Sequence, residues 1–155
     1  MKEEGMHYFQ CLYRIFTRGV EDYADDTQRR AKFVEDNLHL FAGTMLVGLF
    51  AFLESTLGKN WITRCGGRQK RELECLRFAR NAFVHTNSHI RDLGTYSLDE
   101  EAKLRAFIQD IEAGRIRDDK GNAYASYMTL TDDGVVKFNE HAFNIFRAIG
   151  MAICH

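Results

Sequence analysis

The sequence predicts an all-α fold: a helical bundle of four to five helices forming a single domain over residues 1–155. No proline occurs in its 155 residues, so nothing in the composition forces a helix to break. Apolar residues recur at intervals of three and four in most segments, which is the spacing of one helix face. The longest uncharged apolar run, Leu40 to Leu53, would span about 21 Å as a helix, short of the roughly 30 Å hydrocarbon core of a bilayer. It reads as a buried central helix, with no membrane partner.

The elements follow in order. Met6, Phe9, Tyr13, Phe16, Val20 and Tyr23 share one face of a first helix, weakened near its end by Gly19. Asp25, Asp26 and Thr27 supply caps and acidic first-turn residues for a second helix. Its apolar positions include Phe33, Leu38, Phe41, Met45, Leu49, Phe52 and Leu57, and Gly58 is its expected stop. Asn60 to Gly67 form a connector that carries Trp61. A third helix is expected from Arg68 to about Phe83, with Leu73, Leu76, Ala79, Ala82 and Phe83 facing inward. Asn87, Ser88 and Gly94 mark a loop.

Ser97-Leu98-Asp99-Glu100 has the form of a capping box for a fourth helix. Its core side is Leu104, Phe107, Ile108 and Ile111, and Gly114 ends it. Between Arg115 and Leu130 the pattern changes. Asp118 to Asn122 is turn chemistry, and alternation from Tyr124 to Leu130 suits either a small β-hairpin insertion near 115–130 or an irregular loop. Thr131 to Gly134 then start a last helix reaching Ile153, with Val135, Phe138, Phe143, Phe146 and Ile149 on its apolar side. A short α+β domain is the alternative architecture, but strand signals are few.

Composition narrows the function. An apolar fraction of 45% with 12 Phe fits a globular chain and argues against disorder. A net charge of −1 predicts no general attraction to polyanions, so any nucleic-acid contact needs a local patch. Arg64, Arg68, Lys70, Arg71, Arg77 and Arg80 supply one against only Glu72 and Glu74, although a solvated helix face has the same composition. Cys11, Cys65, Cys75 and Cys154 show no paired spacing, and the amino terminus lacks the apolar core of a signal peptide. A reduced, cytoplasmic chain is expected. Cys65 and Cys75 are too far apart for a zinc-ligand pair, and Gly66-Gly67-Arg68-Gln69-Lys70 lacks the Gly-Lys-Ser/Thr ending of a phosphate loop. No metal and no cofactor are therefore expected.

The most informative stretch is Arg80-Asn81-Ala82-Phe83-Val84-His85. A guanidinium holds a phosphate through a planar fork of donors, and an imidazole moves protons near neutral pH without a metal. Arg80 lies four residues after Leu76, close to the apolar side, an awkward place for a charge unless a partner or an anionic ligand waits there. Glu54 is one candidate for that partner. On an ideal helix, Arg80 and His85 are separated by about 140° of rotation and about 7.5 Å of rise. The site therefore needs the helix to end near Phe83 or Val84, with Thr86-Asn87-Ser88 swinging His85 back.

The pattern Arg-polar-x-x-x-His on a small helical chain resembles the HEPN family (higher eukaryotes and prokaryotes nucleotide-binding), with the specific match spanning Leu38 to Asn87. The resemblance implies a HEPN-like bundle and a metal-independent endoribonuclease, with RNA as substrate and Arg80, Asn81 and His85 as catalytic residues. It also implies a homodimer with a composite site, and a toxin or defence role, in some relatives beside a neutralising antitoxin partner. In that reading His85 serves as general acid or base, Arg80 stabilises the phosphorane, and Asn81 orients the imidazole or binds a phosphate oxygen. Arg77, Asn87 and Glu54 are assigned to substrate binding. Two rivals stand beside it: a HEPN-like module that binds RNA or nucleotide without cleaving, and an all-helical interaction protein in which Arg80 and His85 are structural.

Overall fold

The computed structural model describes Arg14, Arg18 and residues 27–118 and 120–154. Apart from Arg14 and Arg18, both helical, the helix expected over Met6 to Tyr23 lies outside the described residues. Contacts group the chain into two compact units, Met1–Gly58 with Phe138–His155, and Lys59–Lys137. The expected all-α class is found: among the described residues four helices dominate, with one two-stranded hairpin.

In the first unit, helix α1 covers Thr27–Leu57 and helix α4 covers His141–Cys154. Ala42, Met45, Leu46, Leu49, Phe50 and Leu53 are buried on α1, and Ala142, Phe143, Phe146 and Ile149 on α4. The two helices pack on each other. By length and composition alone, Asn37–Leu57 would also cross a membrane, with a mean hydropathy of 1.7. Its fully buried face on α1 is equally the mark of a core helix. Gly58 ends α1 as expected, at φ +88, with its N–H on the Glu54 carbonyl at 2.9 Å. Phe138 closes this core: its ring stacks on His39 and meets Phe146 edge-on, both at 5.5 Å, while its N–H donates to His39 Nδ1 at 3.1 Å.

The second unit is built on helix α2, Gly67–Thr86, and helix α3, Leu98–Glu112, with short 3-10 turns at Trp61–Arg64 and Ile90–Asp92. Leu73, Leu76, Ala79 and Ala82 of α2 are fully buried, as the three–four spacing predicts, and so are Leu104 and Phe107 of α3. Ser97 caps α3 by accepting the Glu100 N–H at 3.0 Å. Gly114, at φ +70, follows its end.

Two expectations about boundaries are corrected. Helix α2 does not stop near Phe83 or Val84; it runs through Thr86 and ends on Asn87 in the left-handed conformation, φ 49. The hairpin ladder also lies later than expected, strand β1 being Met128–Leu130 and strand β2 Val136–Phe138. The turn chemistry near Asp118 does form a turn, since Asp118 Oδ1 accepts from the Lys120 and Asn122 amides, both at 2.9 Å. Thr131 to Gly134, however, make the β1–β2 turn instead of starting a helix. Thr131 Oγ1 accepts the Val135 N–H at 2.9 Å and donates to Asp133, and Gly134 sits at φ +87. Thr and Asp side chains that bond nearby backbone compete with helix formation, and here the turn wins. Val135 and Phe138 therefore belong to the hairpin, and α4 starts only at His141, whose N–H is taken by Asn139 Oδ1 at 2.9 Å.

The hairpin turn is held by a charge network centred on Glu101. Arg91 grips the carboxylate with both arms of its fork, Nε to Oε1 at 2.9 Å and Nη2 to Oε2 at 3.2 Å. Arg105 Nε adds 3.2 Å to Oε2, and Tyr96 donates its hydroxyl to Oε1 at 3.1 Å. The same guanidiniums reach the turn: Arg91 Nη2 donates to the Asp132 carbonyl at 2.8 Å, Arg105 Nη2 to the Thr131 carbonyl at 2.9 Å. An added Cβ at Gly134 would meet Arg91 and Ile90 side-chain atoms at 3.2 Å, so this glycine serves both backbone conformation and close approach.

Hydrogen bonds from Arg91, helped by those from Tyr96 and Arg105, hold the Glu101 carboxyl down to about 2. A carboxylate depressed in the folded state stabilises the fold above its unfolded value near 4.5 and loses that contribution as pH falls toward 2. Glu101→Gln is expected to cost about 1.5–3 kcal/mol at pH 7, the range for hydrogen bonds to charged groups. Its thermal midpoint should also fall less than that of the native chain between pH 4.5 and 2. Equal slopes for both proteins in that window would remove Glu101 from its central role.

Candidate functional site

Because α2 is unbroken through Thr86, its sequence spacing converts directly into positions around one axis. Arg80 and His85 stand about 140° apart, so a single chain does not bring them onto one face. The expected in-chain convergence is thereby corrected. His85 occupies the exposed last turn of the helix. Arg80 is half-buried and its Nε is enclosed by protein.

Other predicted residues do come together. Asn81 lies one turn before His85, displaced by only about 40°, and Arg77 lies one turn before Asn81 by the same step. Both line a groove of about 600 Å³ between α2 and α3. On the α2 side the groove continues through Glu74 and Phe78, so the stripe Glu74, Phe78, Asn81, His85 follows three–four spacing along one face. Helix α3 contributes Glu100, Lys103 and Ala106.

Charge in the groove is mostly settled internally. Arg71 bonds Asp110 at 2.8 Å and lies 5.4 Å from the Phe107 ring centre, and Lys103 bonds Asp99 at 3.0 Å. The Asp99 contact, followed by the fields of Glu74 and Glu100, pushes Lys103 upward and keeps it charged. Among the described residues, neither Arg77 nor His85 makes an ion pair or hydrogen bond through its side chain. Cys75 sits at the groove floor, where burial raises its thiol to about 11 and keeps it protonated.

The remaining predicted residues lie elsewhere. Asn87 is the left-handed cap that ends α2, with an exposed side chain. It is followed by Ser88 at φ 71, buried and tied by its N–H to the Ala82 carbonyl at 2.9 Å. Glu54 is exposed on α1, in the other unit.

One chemically active group escaped the sequence reading. Glu72, counted there among the few charges opposing the basic patch, is 4% exposed and accepts hydroxyls from Tyr127 at 3.1 Å and Tyr124 at 3.4 Å. Tyr124 in turn lies under the Arg68 guanidinium at 5.7 Å. Burial raises the Glu72 carboxyl to about 7, against the opposing pull of Tyr127, Arg68 and Tyr124. The signal was available: Leu76 and Ala79, four and seven residues on, place Glu72 on the buried stripe.

A carboxyl raised in the folded state binds its proton more tightly there than when unfolded. Stability should therefore be undiminished below about 4.5 and fall as pH rises through 7, with a slope approaching about 1.4 kcal/mol per pH unit. Glu72→Gln, which keeps the hydrogen-bonding shape without the charge, should abolish this part of the decline in denaturant titrations between pH 5 and 8. An unchanged pH profile in that variant would contradict the assignment.

Comparison with family models, with curated proteins and with solved structures found no match for this chain.

Proposed function

We propose that the protein is a metal-independent endoribonuclease of HEPN type whose active cleft is shared between two copies of the chain. One observation carries this reading: an exposed imidazole at the end of α2 stands one turn after Asn81, while Arg80 lies about 140° away around the same unbroken helix. A guanidinium that cannot reach His85 in its own chain can reach the His85 of a second copy packed with a two-fold axis. RNA, not DNA, is the substrate, because the reaction uses the 2′-hydroxyl.

In the proposed reaction His85 takes the 2′-hydroxyl proton and the freed oxygen attacks the adjacent phosphorus. The bond from phosphorus to the 5′-oxygen breaks, and that oxygen takes a proton from water, the imidazolium returning its own proton to the hydroxide left behind. The products are a 2′,3′-cyclic phosphate and a 5′-hydroxyl. Arg80 of the facing copy balances charge on the phosphorane oxygens, and Asn81, beside His85, orients the ring. A toxin or defence role, a cytoplasmic location and a neutralising partner belong to this proposal as extensions of the family resemblance alone.

The enclosed Nε of Arg80 favours a second reading, an interaction protein in which this arginine serves the fold. Cleavage of single-stranded RNA in EDTA separates the two. His85→Ala should lower the rate by about 10²–10⁴ without lowering the melting temperature, since the residue is exposed. With reciprocal sites, mixing inactive His85→Ala with inactive Arg80→Ala restores one site of two in half of the dimers, about a quarter of native activity. No recovery on mixing would overturn the shared cleft. Wild-type protein that cuts no RNA, with Arg80→Ala strongly destabilised, would replace the nuclease by the second reading.

A further inference from the structure

The buried carboxyl of Glu72 is joined to a part of the chain that the proposed cleavage does not use. Residues 116–127 leave the end of α3 and lead to strand β1. They close on themselves: Tyr124 gives its N–H to the Ile116 carbonyl at 2.9 Å, and Asp118 gives its N–H to the Asn122 carbonyl at 2.8 Å. Arg117 Nη1 adds a bond to the Gly121 carbonyl at 2.8 Å. Arg117, Gly121, Asn122 and Ala123 are exposed, while Ile116 and Tyr127 are buried. A closed turn of this size is marginal on its own, so it keeps its shape by lying against the helices. Two of its side chains meet α2 at one carboxyl, Tyr127 at Oε2 and Tyr124 at Oε1.

We infer that residues 116–127 form a pH-sensitive strap, latched to α2 by the protonated carboxyl of Glu72 and released when that proton is lost. A carboxylic acid suits the latch, because one oxygen accepts from Tyr127 while the other turns its own proton onto the Tyr124 oxygen. An ionised carboxyl in the same place is a buried charge, costly unless a cation or water reaches it. Arg68, one turn back on α2, is the cation acting on it, but that guanidinium is exposed and lies over the Tyr124 ring at 5.7 Å. Cys75, three residues on, feels Glu72 in turn, and among the described residues no group of α3 acts on Glu72. Tyr124 is half-buried, whereas Leu73 and Leu76 beside Glu72 on α2 are fully buried. Water therefore reaches the carboxyl most directly when the strap lifts. Burial holds this carboxyl at about 7, and lifting returns it toward 4.5. The lifted state binds fewer protons, so its population should climb by nearly tenfold per pH unit between about 4.5 and 7 and level off above 7. The strap does not depend on the ribonuclease reading.

The test is amide hydrogen exchange of the full chain, followed by NMR from about pH 4.5 to 8 with the intrinsic exchange rates divided out. A lifted turn does not hold its own bonds, so the Tyr124 amide reports the strap. The Leu104 and Phe107 amides, inside α3, report opening of the whole unit. Protection at Tyr124 should stay below that of Leu104 and Phe107. It should also fall by nearly tenfold per pH unit up to about 7 and then level. Glu72→Gln, which keeps the shape and does not ionise, should leave Tyr124 protection independent of pH. Equal protection at Tyr124 and at the two α3 amides would mean that the strap leaves only with the whole unit, and would overturn the inference. A pH-independent Tyr124 amide in the native chain would overturn it too, as would a pH dependence that survives in Glu72→Gln. The first two outcomes are read in the native chain, so they decide the matter even if the variant does not fold.

Discussion

The second unit is organised around one carboxylate. Glu101 draws Arg91, Arg105 and Tyr96 to itself, and the two guanidiniums then extend to the carbonyls of Thr131 and Asp132. The β1–β2 turn is thereby fastened to α3. From that turn the Gly134 carbonyl takes the Ile90 N–H at 3.0 Å, and the Ser88 carbonyl takes the Val136 N–H at 3.0 Å. The chain leaving α2 is thus held by backbone bonds to the hairpin, and the two successive left-handed residues, Asn87 and Ser88, are the bend that lets it do so. Left-handed conformations at non-glycine residues cost of order 1–3 kcal/mol each where nothing supports them, and here the cap bond to Ala82 and the strand bond to Val136 supply support.

This constraint fixes where α2 stops, and the stopping point decides the functional geometry. A helix ending three residues earlier would have released His85 into the loop, free to fold back toward Arg80. With the bend at Asn87, His85 belongs to the helix and takes its place on the stripe that begins at Glu74. The unbroken helix exchanges an in-chain Arg–His pair for an ordered row of polar groups beside a groove.

Much of this arrangement could be read from the residues. The apolar stripes of α2 and α3, the Ser97 cap, the glycine stop at Gly58 and the helical class all follow from local rules that tertiary contacts did not override. Asn81 and His85 of the motif stand one turn apart, and their shared face follows from spacing once the helix end is known. The helix end was the weak point. Thr86, Asn87 and Ser88 can terminate a helix at any of several residues, and the choice was made by Val136, far away in the chain. Thr131 to Gly134 misled for a related reason, since Thr and Asp cap helices and make turns with the same side-chain bonds. The groove needed both helices: three of its ten lining residues, Glu100, Lys103 and Ala106, come from α3 and have no sequence relationship to α2. Glu72 is different, because its alignment with Leu76 and Ala79 is visible in the sequence and marks it as buried despite its charge.

The charge economy of the groove constrains how a polyanion could be recognised. Arg71 and Lys103 are already matched by Asp110 and Asp99, so the apparent basic patch of the sequence shrinks to Arg77 at this site. Each phosphate neutralised by a protein cation releases condensed counterions and steepens the salt dependence of binding, by about 0.7 per contact on single strands. One cation gives a shallow dependence and little affinity of its own. Recognition of a strand would then rest on shape and on the few contacts left in the groove. A chain of net charge −1 that acts on RNA would be built this way, with a few placed contacts in a groove instead of a broad positive field.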